Sequence, residues 1–89
     1  MTILNMLDIS TAHISLKTSE LLADTEDNLI VFSTPFTYGY FVYVPDDEEE
    51  ETPQDLKDVF AFARKNKCSW IKLDCDAVEY KELPTYDWK

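Results

Sequence analysis

The 89-residue sequence contains one glycine, one histidine and two cysteines. A single glycine cannot form a glycine-rich phosphate loop, and a single histidine cannot form a paired-histidine zinc motif. Cys68 and Cys75 flank one expected strand, where ~3.3 Å per residue places their Cα atoms ~23 Å apart, beyond disulfide reach. These shortages disfavour metal and nucleotide enzymes, and we expect neither a cofactor nor a bound metal.

The sequence also lacks a basic leader and a long apolar run. Residues 1–10 contain no Lys or Arg and are interrupted by Asn5 and Asp8, unlike a secretory signal. No apolar stretch approaches the ~18–20 residues that span a bilayer. Free thiols without an export signal predict a cytoplasmic protein. The shortage of Lys and Arg argues against direct binding of nucleic acid or of an anionic membrane.

Acidic residues are in excess, with 18 Asp and Glu against 8 Lys and Arg and a net charge of −10. Residues 46–58 hold eight of these acids and one base, so this window carries −7 and the rest of the chain −3. Six of the eight are consecutive: Asp46, Asp47, Glu48, Glu49, Glu50 and Glu51. The charge is therefore local, and one edge of a small protein is polyanionic.

The remaining composition predicts one compact domain over residues 1–89, because 45% of the residues are hydrophobic and 13% are aromatic. The expected elements, in chain order, are a strand at 3–9, a helix at 16–23, a strand at 29–33, a strand at 38–44, a helix beginning at Pro53 and a strand at 70–74. Ser15 is the expected N-cap of the first helix, and Pro35 is expected to end the second strand. An acidic loop is expected at 45–52.

The order β-α-β-β-α-β predicts an α+β two-layer sandwich, ferredoxin-like or a reduced variant, with an antiparallel sheet and both helices on one face. For the second helix we expect Thr52 as N-cap and Asn66 as the left-handed cap. Its core stripe at i, i+3, i+4, i+7 spacing is formed by Leu56, Val59, Phe60 and Ala63. The aromatic tail at 83–88 is expected to pack back on the domain.

The six-acid run has two interpretations. Like-charge blocks are most often solvated loops that keep a protein soluble. Alternatively, six extended residues span ~20 Å, comparable to several phosphates of one DNA strand, and such a surface fits a basic groove that grips nucleic acid. By helical periodicity, Asp55, Asp58 and Phe62 share the outer face of the second helix, where Phe62 would anchor an interface unless the tail covers it.

The third strand carries apolar residues on both sides. Tyr38, Tyr40, Val42 and Val44 alternate with Phe41 and Tyr43. One side must pack on the helices, and the other is an exposed aromatic face unless something covers it. Stacking on RNA bases is disfavoured because no basic surface accompanies the aromatics. We expect dimerisation, tail packing or protein binding there.

Enzymatic interpretations rest on His13 and on the Asp74-Cys75-Asp76 segment. Two carboxylates at the end of a strand are able to hold Mg²⁺, but two solvated acids in a turn are far more common. A lone histidine more often completes a turn than acts in catalysis. The chain is expected not to be an enzyme.

Several segments together resemble a small uncharacterised bacterial domain family carried on plasmids, phages and integrative elements. These segments are Leu-Asp-Ile-Ser-Thr-Ala-His-Ile at 7–14, Tyr-Gly-Tyr-Phe-Val-Tyr-Val at 38–44, Pro-Gln-Asp-Leu at 53–56, Cys-Ser-Trp-Ile-Lys-Leu-Asp-Cys-Asp-Ala at 68–77 and Leu-Pro-Thr-Tyr-Asp-Trp at 83–88. The resemblance implies a mobile-element setting, often beside antirestriction genes, and no established reaction or catalytic residue. The six-acid run lies outside the shared pattern.

Together these observations predict a non-enzymatic acidic protein that inhibits a host nucleic-acid-handling defence complex, CRISPR–Cas or restriction. The partner would be a host protein with a basic nucleic-acid-binding groove. The expected partner-binding residues are Asp46, Asp47, Glu48, Glu49, Glu50, Glu51, Asp55, Asp58 and Phe62. The alternative is a small accessory or regulatory module that dimerises or docks through the aromatic sheet face, with the acids serving solubility alone.

Overall fold

The computed structural model describes residues 3–24, 31–47 and 50–88. Its elements are β1 (Met6–Ser10), a 3-10 turn (Thr11–His13), α1 (Leu16–Ala23), β2 (Ser33–Phe36), β3 (Gly39–Tyr43), α2 (Gln54–Lys65) and β4 (Trp70–Asp74). The α+β class and the order β-α-β-β-α-β are confirmed. Within these ranges, no helix combines the length and apolarity needed to cross a membrane.

The four strands form one sheet in the order β1-β4-β3-β2. β4 pairs in parallel with β1, where Met6 lies opposite Trp70, and antiparallel with β3, where Tyr43 lies opposite Trp70. The sheet is therefore mixed, and the expectation of a wholly antiparallel sheet is wrong at the β1–β4 pair. A parallel pair needs a long crossover, and residues 11–69 supply it. The fold is a variant of the ferredoxin-like arrangement.

The second strand lies further along the chain than expected. β2 spans Ser33–Phe36 and contains Pro35, which lies opposite Tyr40; residues 29 and 30 of the expected strand lie outside the described residues. β2 tolerates a proline because it is an edge strand. The Tyr43 N–H donates to the Phe32 carbonyl at 3.0 Å, so strand alternation makes 35/40 a non-hydrogen-bonded pair. The N–H that Pro35 lacks would point away from β3.

Both helices pack on one face of the sheet, as expected, and the core lies between the two layers. The four stripe residues of α2 are fully buried and face Ile9 of β1, Val42 of β3, and Ile71 and Leu73 of β4. Leu22 of α1 completes this layer. Burying a Leu, Val or Phe side chain contributes ~1.5–3 kcal/mol to the free energy of folding. The stripe therefore holds α2 against the sheet.

The end of α2 differs by one residue from the expected cap. Lys67 has φ 59°, whereas Asn66 has φ −96°. The Cys68 N–H donates to the Ala63 carbonyl at 2.8 Å, and the Lys67 N–H donates to the Arg64 carbonyl at 3.0 Å. These two bonds form a Schellman motif, in which the left-handed position falls one residue after the cap.

The single glycine lies where the backbone of β3 closely approaches the backbone of β4. Gly39 is opposite Asp74, and a Cβ built on Gly39 would collide with the carbonyl oxygen of Leu73. Any larger residue would have to push the two strands apart. Gly39 therefore permits the short distance between β3 and β4 at the start of β3.

The C-terminal segment packs back on the domain, as expected. The Tyr86 N–H donates to the Ala12 carbonyl and the Trp88 indole N–H donates to the Ile14 carbonyl, both at 2.8 Å. Leu83 is buried in the core cluster. The tail thus covers the turn between β1 and α1.

Candidate partner-binding surfaces

The acidic segment is residues 46–51, and its described residues lie on the helix side of the molecule, beside α2. Asp46, Asp47, Glu50 and Glu51 are exposed, and Glu48 and Glu49 lie outside the described residues. Within the described part of the chain, none of these four carboxylates forms an ion pair. Their charges therefore remain available to a partner.

Two cations of α2 hold the backbone of this region. Arg64 donates to the Pro45 carbonyl from Nε at 3.1 Å and from Nη2 at 2.7 Å. Lys57 Nζ reaches the Glu50 carbonyl at 3.4 Å, a long contact. Because these cations bind the carbonyl oxygens of Pro45 and Glu50, they link the backbone at these two positions to α2. A loop of like charges is thereby anchored to a rigid helix.

Asp55 does not share this exposed surface. Its exposed fraction is 6%, which corrects the expectation that it lies on the outer face of the helix. Oδ2 accepts the Ser15 N–H at 2.7 Å, and Oδ1 accepts the Thr18 hydroxyl at 2.8 Å and the Leu56 N–H at 2.9 Å. Three donors occupy the carboxylate, so Asp55 joins the starts of the two helices.

The start of α2 is capped differently from the prediction. The helix begins at Gln54 with Pro53 as the flanking residue and no side-chain cap. Thr52, the expected N-cap, is buried, and its Oγ1 has no hydrogen-bond partner among the described residues. By contrast, Ser15 caps α1 as expected and accepts the Thr18 N–H at 3.2 Å.

Asp58 and Phe62 lie together on a shallow groove beside the C-terminal segment. Asp58 is half-buried and accepts a 2.9 Å hydrogen bond from Gln54 Nε2. Phe62 is half-buried because it packs on Tyr80, with ring centroids 5.4 Å apart. The expected apolar anchor is therefore partly covered, and Tyr80 rather than the far end of the tail covers it.

The pKa of Tyr86, in the C-terminal segment, is affected by burial and by the carboxylates of α2. Burial raises the pKa of Tyr86 above its usual 10.0, and the charges of Asp55 and Asp58 raise that pKa further. Two carboxylates of α2 therefore act on the tail, although Asp55 itself is inaccessible.

His13 is a buried structural residue. The Tyr80 N–H donates to Nε2 at 2.9 Å, so Nε2 is the acceptor and the neutral ring carries its proton on Nδ1. Nδ1 then donates to the Pro84 carbonyl at 2.9 Å. Both ring nitrogens are occupied by the backbone of the C-terminal segment, which leaves neither for proton transfer. That the chain is not an enzyme stays a prediction.

The Asp74-Cys75-Asp76 segment forms a turn at the end of β4. One ligand atom from each residue lies within 4.8 Å of the others. Asp74 Oδ1 accepts the Asp76 N–H at 2.9 Å, and Oδ2 forms an ion pair with Lys72 at 3.5 Å. Both oxygens of Asp74 therefore serve the turn and the sheet, which agrees with the structural interpretation of this motif.

The side of the sheet opposite the helices has no covering layer in the described part of the chain. The residues that line it, here called the open sheet face, are Leu4, Met6, Phe32, Phe36, Tyr38, Phe41, Tyr43 and Trp70. Trp70 packs edge-on against Tyr43 and Phe32, with ring centroids 5.4 and 6.1 Å apart. Phe36 packs on Phe41 at 4.7 Å. Aromatic side chains thus form a continuous surface.

Tyr40 of β3 points to the helix side of the sheet, away from the open sheet face. Its ring packs against the core, and its hydroxyl lies 3.0 Å from the Ser19 hydroxyl of α1. The expected alternation is correct for Tyr40, Val42, Phe41 and Tyr43. It is wrong for Tyr38, which lies in the turn before β3 and packs on Phe36 of the open sheet face. The sequence did not identify Trp70 and Met6 as members of the open face, although the alternation of β4 around buried Ile71 and Leu73 contains the signal for Trp70.

Residues 6–88 match a family model described as "Family of unknown function (DUF5983) C-terminal domain". The chain belongs to this family. No curated protein and no solved structure matches it.

The match of this DUF5983 C-terminal domain begins at Met6, the first residue of β1, and ends at Trp88, whose indole is bonded to the Ile14 carbonyl. The C-terminal segment is therefore an integral part of the domain, as are the strands that carry the open sheet face. The expectation of an uncharacterised domain family is confirmed.

Proposed function

We propose that this DUF5983 C-terminal domain is a non-enzymatic binding protein whose acidic segment occupies a basic, nucleic-acid-binding groove of a host protein. One observation supports this most: four exposed carboxylates lack ion pairs among the described residues, while Arg64 and Lys57 hold the adjacent backbone. A polyanionic edge held on a helix competes with nucleic-acid phosphates for the same Lys and Arg side chains.

The described residues proposed to contact the partner are those that are accessible. Asp46, Asp47, Glu50 and Glu51 carry the charge, and the proposal also includes Glu48 and Glu49 because they belong to the same run in the sequence. Asp58 extends the charge onto α2, and the exposed part of Phe62 supplies an apolar contact. Asp55 contributes only through the fold, because its carboxylate is buried and fully bonded.

The proposed partner is a host defence complex of the CRISPR–Cas or restriction type. Such complexes grip nucleic acid through basic grooves, and the resemblance to a mobile-element family motivates a role against host defence. Direct binding of nucleic acid or membrane is not proposed, since the exposed surface is acidic. The protein would act as a competitor for the groove.

The test measures competition with DNA. A fluorescent duplex is bound to purified host restriction and CRISPR–Cas complexes, and its anisotropy is followed as the protein is added at low and high salt. We expect the wild type to release the duplex at low salt and to lose potency as salt rises. A variant with Asp46, Asp47, Glu50 and Glu51 changed to Asn or Gln should lose about tenfold or more in potency, because each exposed ion pair contributes ~0.2–1 kcal/mol.

The matched control removes the same number of charges elsewhere. Four exposed acids outside the acidic segment are changed, Asp8, Asp76 and Asp87 to Asn and Glu79 to Gln. If the site is local, the control keeps wild-type potency. Equal loss in both variants would show that net charge alone acts, and full potency in both would overturn the proposal.

The alternative function assigns the acids to solubility alone and places binding on the open sheet face. That face is aromatic and none of the described residues covers it, which favours a contact there whatever the acids do. The two functions differ in one measurable respect. Neutralising the acidic segment abolishes partner binding under the first and leaves it intact under the second.

A further inference from the structure

The open sheet face plays no part in the proposed function. Phe32 is 65% exposed, Leu4 62% and Tyr43 41%, and their side chains stand beside half-buried Phe41 and Trp70. Isolated exposed apolar residues are common on monomers, but a contiguous group of eight is not. Such a surface indicates a contact with another molecule.

The size of this surface matches one side of a stable interface. A large aromatic side chain presents ~150–250 Å², and eight large side chains that are partly exposed present on the order of 700 Å². A standard protein–protein interface takes ~800 Å² from each partner, whereas the largest apolar patch of a typical monomer is ~300–600 Å². The open sheet face is therefore large enough to hold two chains together.

The charges of the molecule favour a second copy as the occupant. Among the described strand residues, the acids and bases on this side of the sheet are Asp8, Lys72 and Asp74, and the last two form an ion pair at 3.5 Å. Lys72 Nζ also lies 5.8 Å from the Phe36 ring centroid. A nearly neutral face gives no electrostatic preference for a charged partner, but it allows two acidic chains to meet.

The described residues of the acidic segment lie on the helix side, where Arg64 binds the Pro45 carbonyl and Lys57 contacts the Glu50 carbonyl. In a face-to-face pair the two acidic segments lie on opposite outer surfaces, so their mutual repulsion is smallest. Contact through the helix side would instead bring together the acids of two chains that each carry a net charge of −10.

The edge strand β2 disfavours a dimer formed edge to edge, which leaves contact through the open sheet face. Pro35 on edge strand β2 lacks the N–H that would point outward to a neighbouring strand, so it interrupts edge-to-edge extension of the sheet. Two sheets that pack face to face bury interleaved aromatic rows with strands nearly aligned or crossed. We propose that the open sheet face is the interface of a two-fold homodimer, with a second copy of this chain as its occupant.

The test is the oligomeric state of the full chain by sedimentation velocity. We expect a particle of twice the 10.4 kDa chain mass at micromolar concentration. Tyr43→Glu and Phe32→Glu each place a charge in the interface and should weaken the dimer at least tenfold, since a buried unpaired charge is costly. Leu16→Glu is the control, because Leu16 is 45% exposed on the helix side and should leave the dimer intact.

Circular dichroism checks that each variant keeps its fold. A wild type that stays monomeric at ~100 µM overturns the proposal, since a standard-size apolar interface holds at that concentration. A dimer that survives both glutamate substitutions overturns it as well, and so does a monomer whose open sheet face binds a different protein. Neutralising the acidic segment should leave the dimer intact, so this result is independent of the competition experiment.

Discussion

The carboxylate of Asp55, at the start of α2, accepts a 2.7 Å hydrogen bond from the backbone N–H of Ser15, forty residues earlier in the chain. Ser15 is the N-cap of α1, so a residue of one helix satisfies a free donor at the start of the other. The same carboxylate accepts the Thr18 hydroxyl and the Leu56 N–H. Negative charge at two helix N-termini is stabilising, and Asp55 therefore fixes the two helices relative to each other.

Replacing Asp55 tests this link. Asp55→Ala should lower the free energy of unfolding by about 3 kcal/mol, because the Ser15 N–H and the Thr18 hydroxyl lose their acceptor in a buried site. Urea denaturation followed by tryptophan fluorescence measures the change. Asp58→Ala is the control, and its effect should stay within about 0.5 kcal/mol. Equal losses in the two variants would contradict the assigned role of Asp55.

His13 is expected to hold the C-terminal segment in place. His13→Ala removes the acceptor of the Tyr80 N–H and the donor to the Pro84 carbonyl, and it leaves a cavity, so we expect a loss of about 3 kcal/mol. Trypsin should cut faster at exposed Lys81 as the segment detaches. His13→Leu preserves most of the volume without the hydrogen bonds. If it behaved as the wild type, packing rather than hydrogen bonding would be responsible.

The raised pKa of Tyr86 predicts a pH effect of defined sign. Because burial and the charges of Asp55 and Asp58 raise its folded-state pKa above 10.0, the folded chain retains this proton when the unfolded chain has lost it. Stability is thus unaffected below about pH 10 and falls as the pH rises through the folded-state pKa. Tyrosinate absorbance should show one late titration step that Tyr86→Phe removes. Asp58→Asn should move that step to lower pH, and an unmoved step would exclude Asp58 as a cause.

The left-handed cap of α2 offers a stabilising substitution. Lys67 has φ 59°, a conformation that costs a residue with a side chain ~1–2 kcal/mol. Lys67→Gly should therefore raise the free energy of unfolding by about 1 kcal/mol, measured by urea denaturation. Lys65→Gly, two residues earlier and inside the helix, should lower it by ~0.5–1 kcal/mol. A loss of stability in both variants would exclude the cap geometry described above.

Within α2, local pattern and tertiary contacts determined different features. The spacing of Leu56, Val59, Phe60 and Ala63 predicted the buried stripe, because the period of one helix is encoded in its own residues. The same periodicity placed Asp55 outside, since a single helix carries no information about what approaches its flank. The start of α1 approaches there and buries the carboxylate. The burial of Asp55 therefore follows from the packing of α1 against α2.

In the sheet as well, the local sequence pattern and the tertiary contacts determined different features. The alternation of β3 predicted which side chains face the helices and which face away. It did not predict that β4 inserts between β1 and β3, since strand order depends on long-range pairing. Pro35 was expected to end a strand and instead lies within one. This position is acceptable only because β2 is an edge strand, which the sheet topology decides.

For the candidate surfaces, the sequence determined the concentration of charge at residues 46–58, because consecutive carboxylates are local whatever the fold. Only the tertiary structure decided which charges are available: it buried Asp55, left Asp46, Asp47, Glu50 and Glu51 outside, and anchored their backbone through Arg64. It also decided that both helices pack on one side of the sheet, so that neither covers the aromatic side. Composition and periodicity act along the chain, whereas exposure depends on which elements the chain brings together.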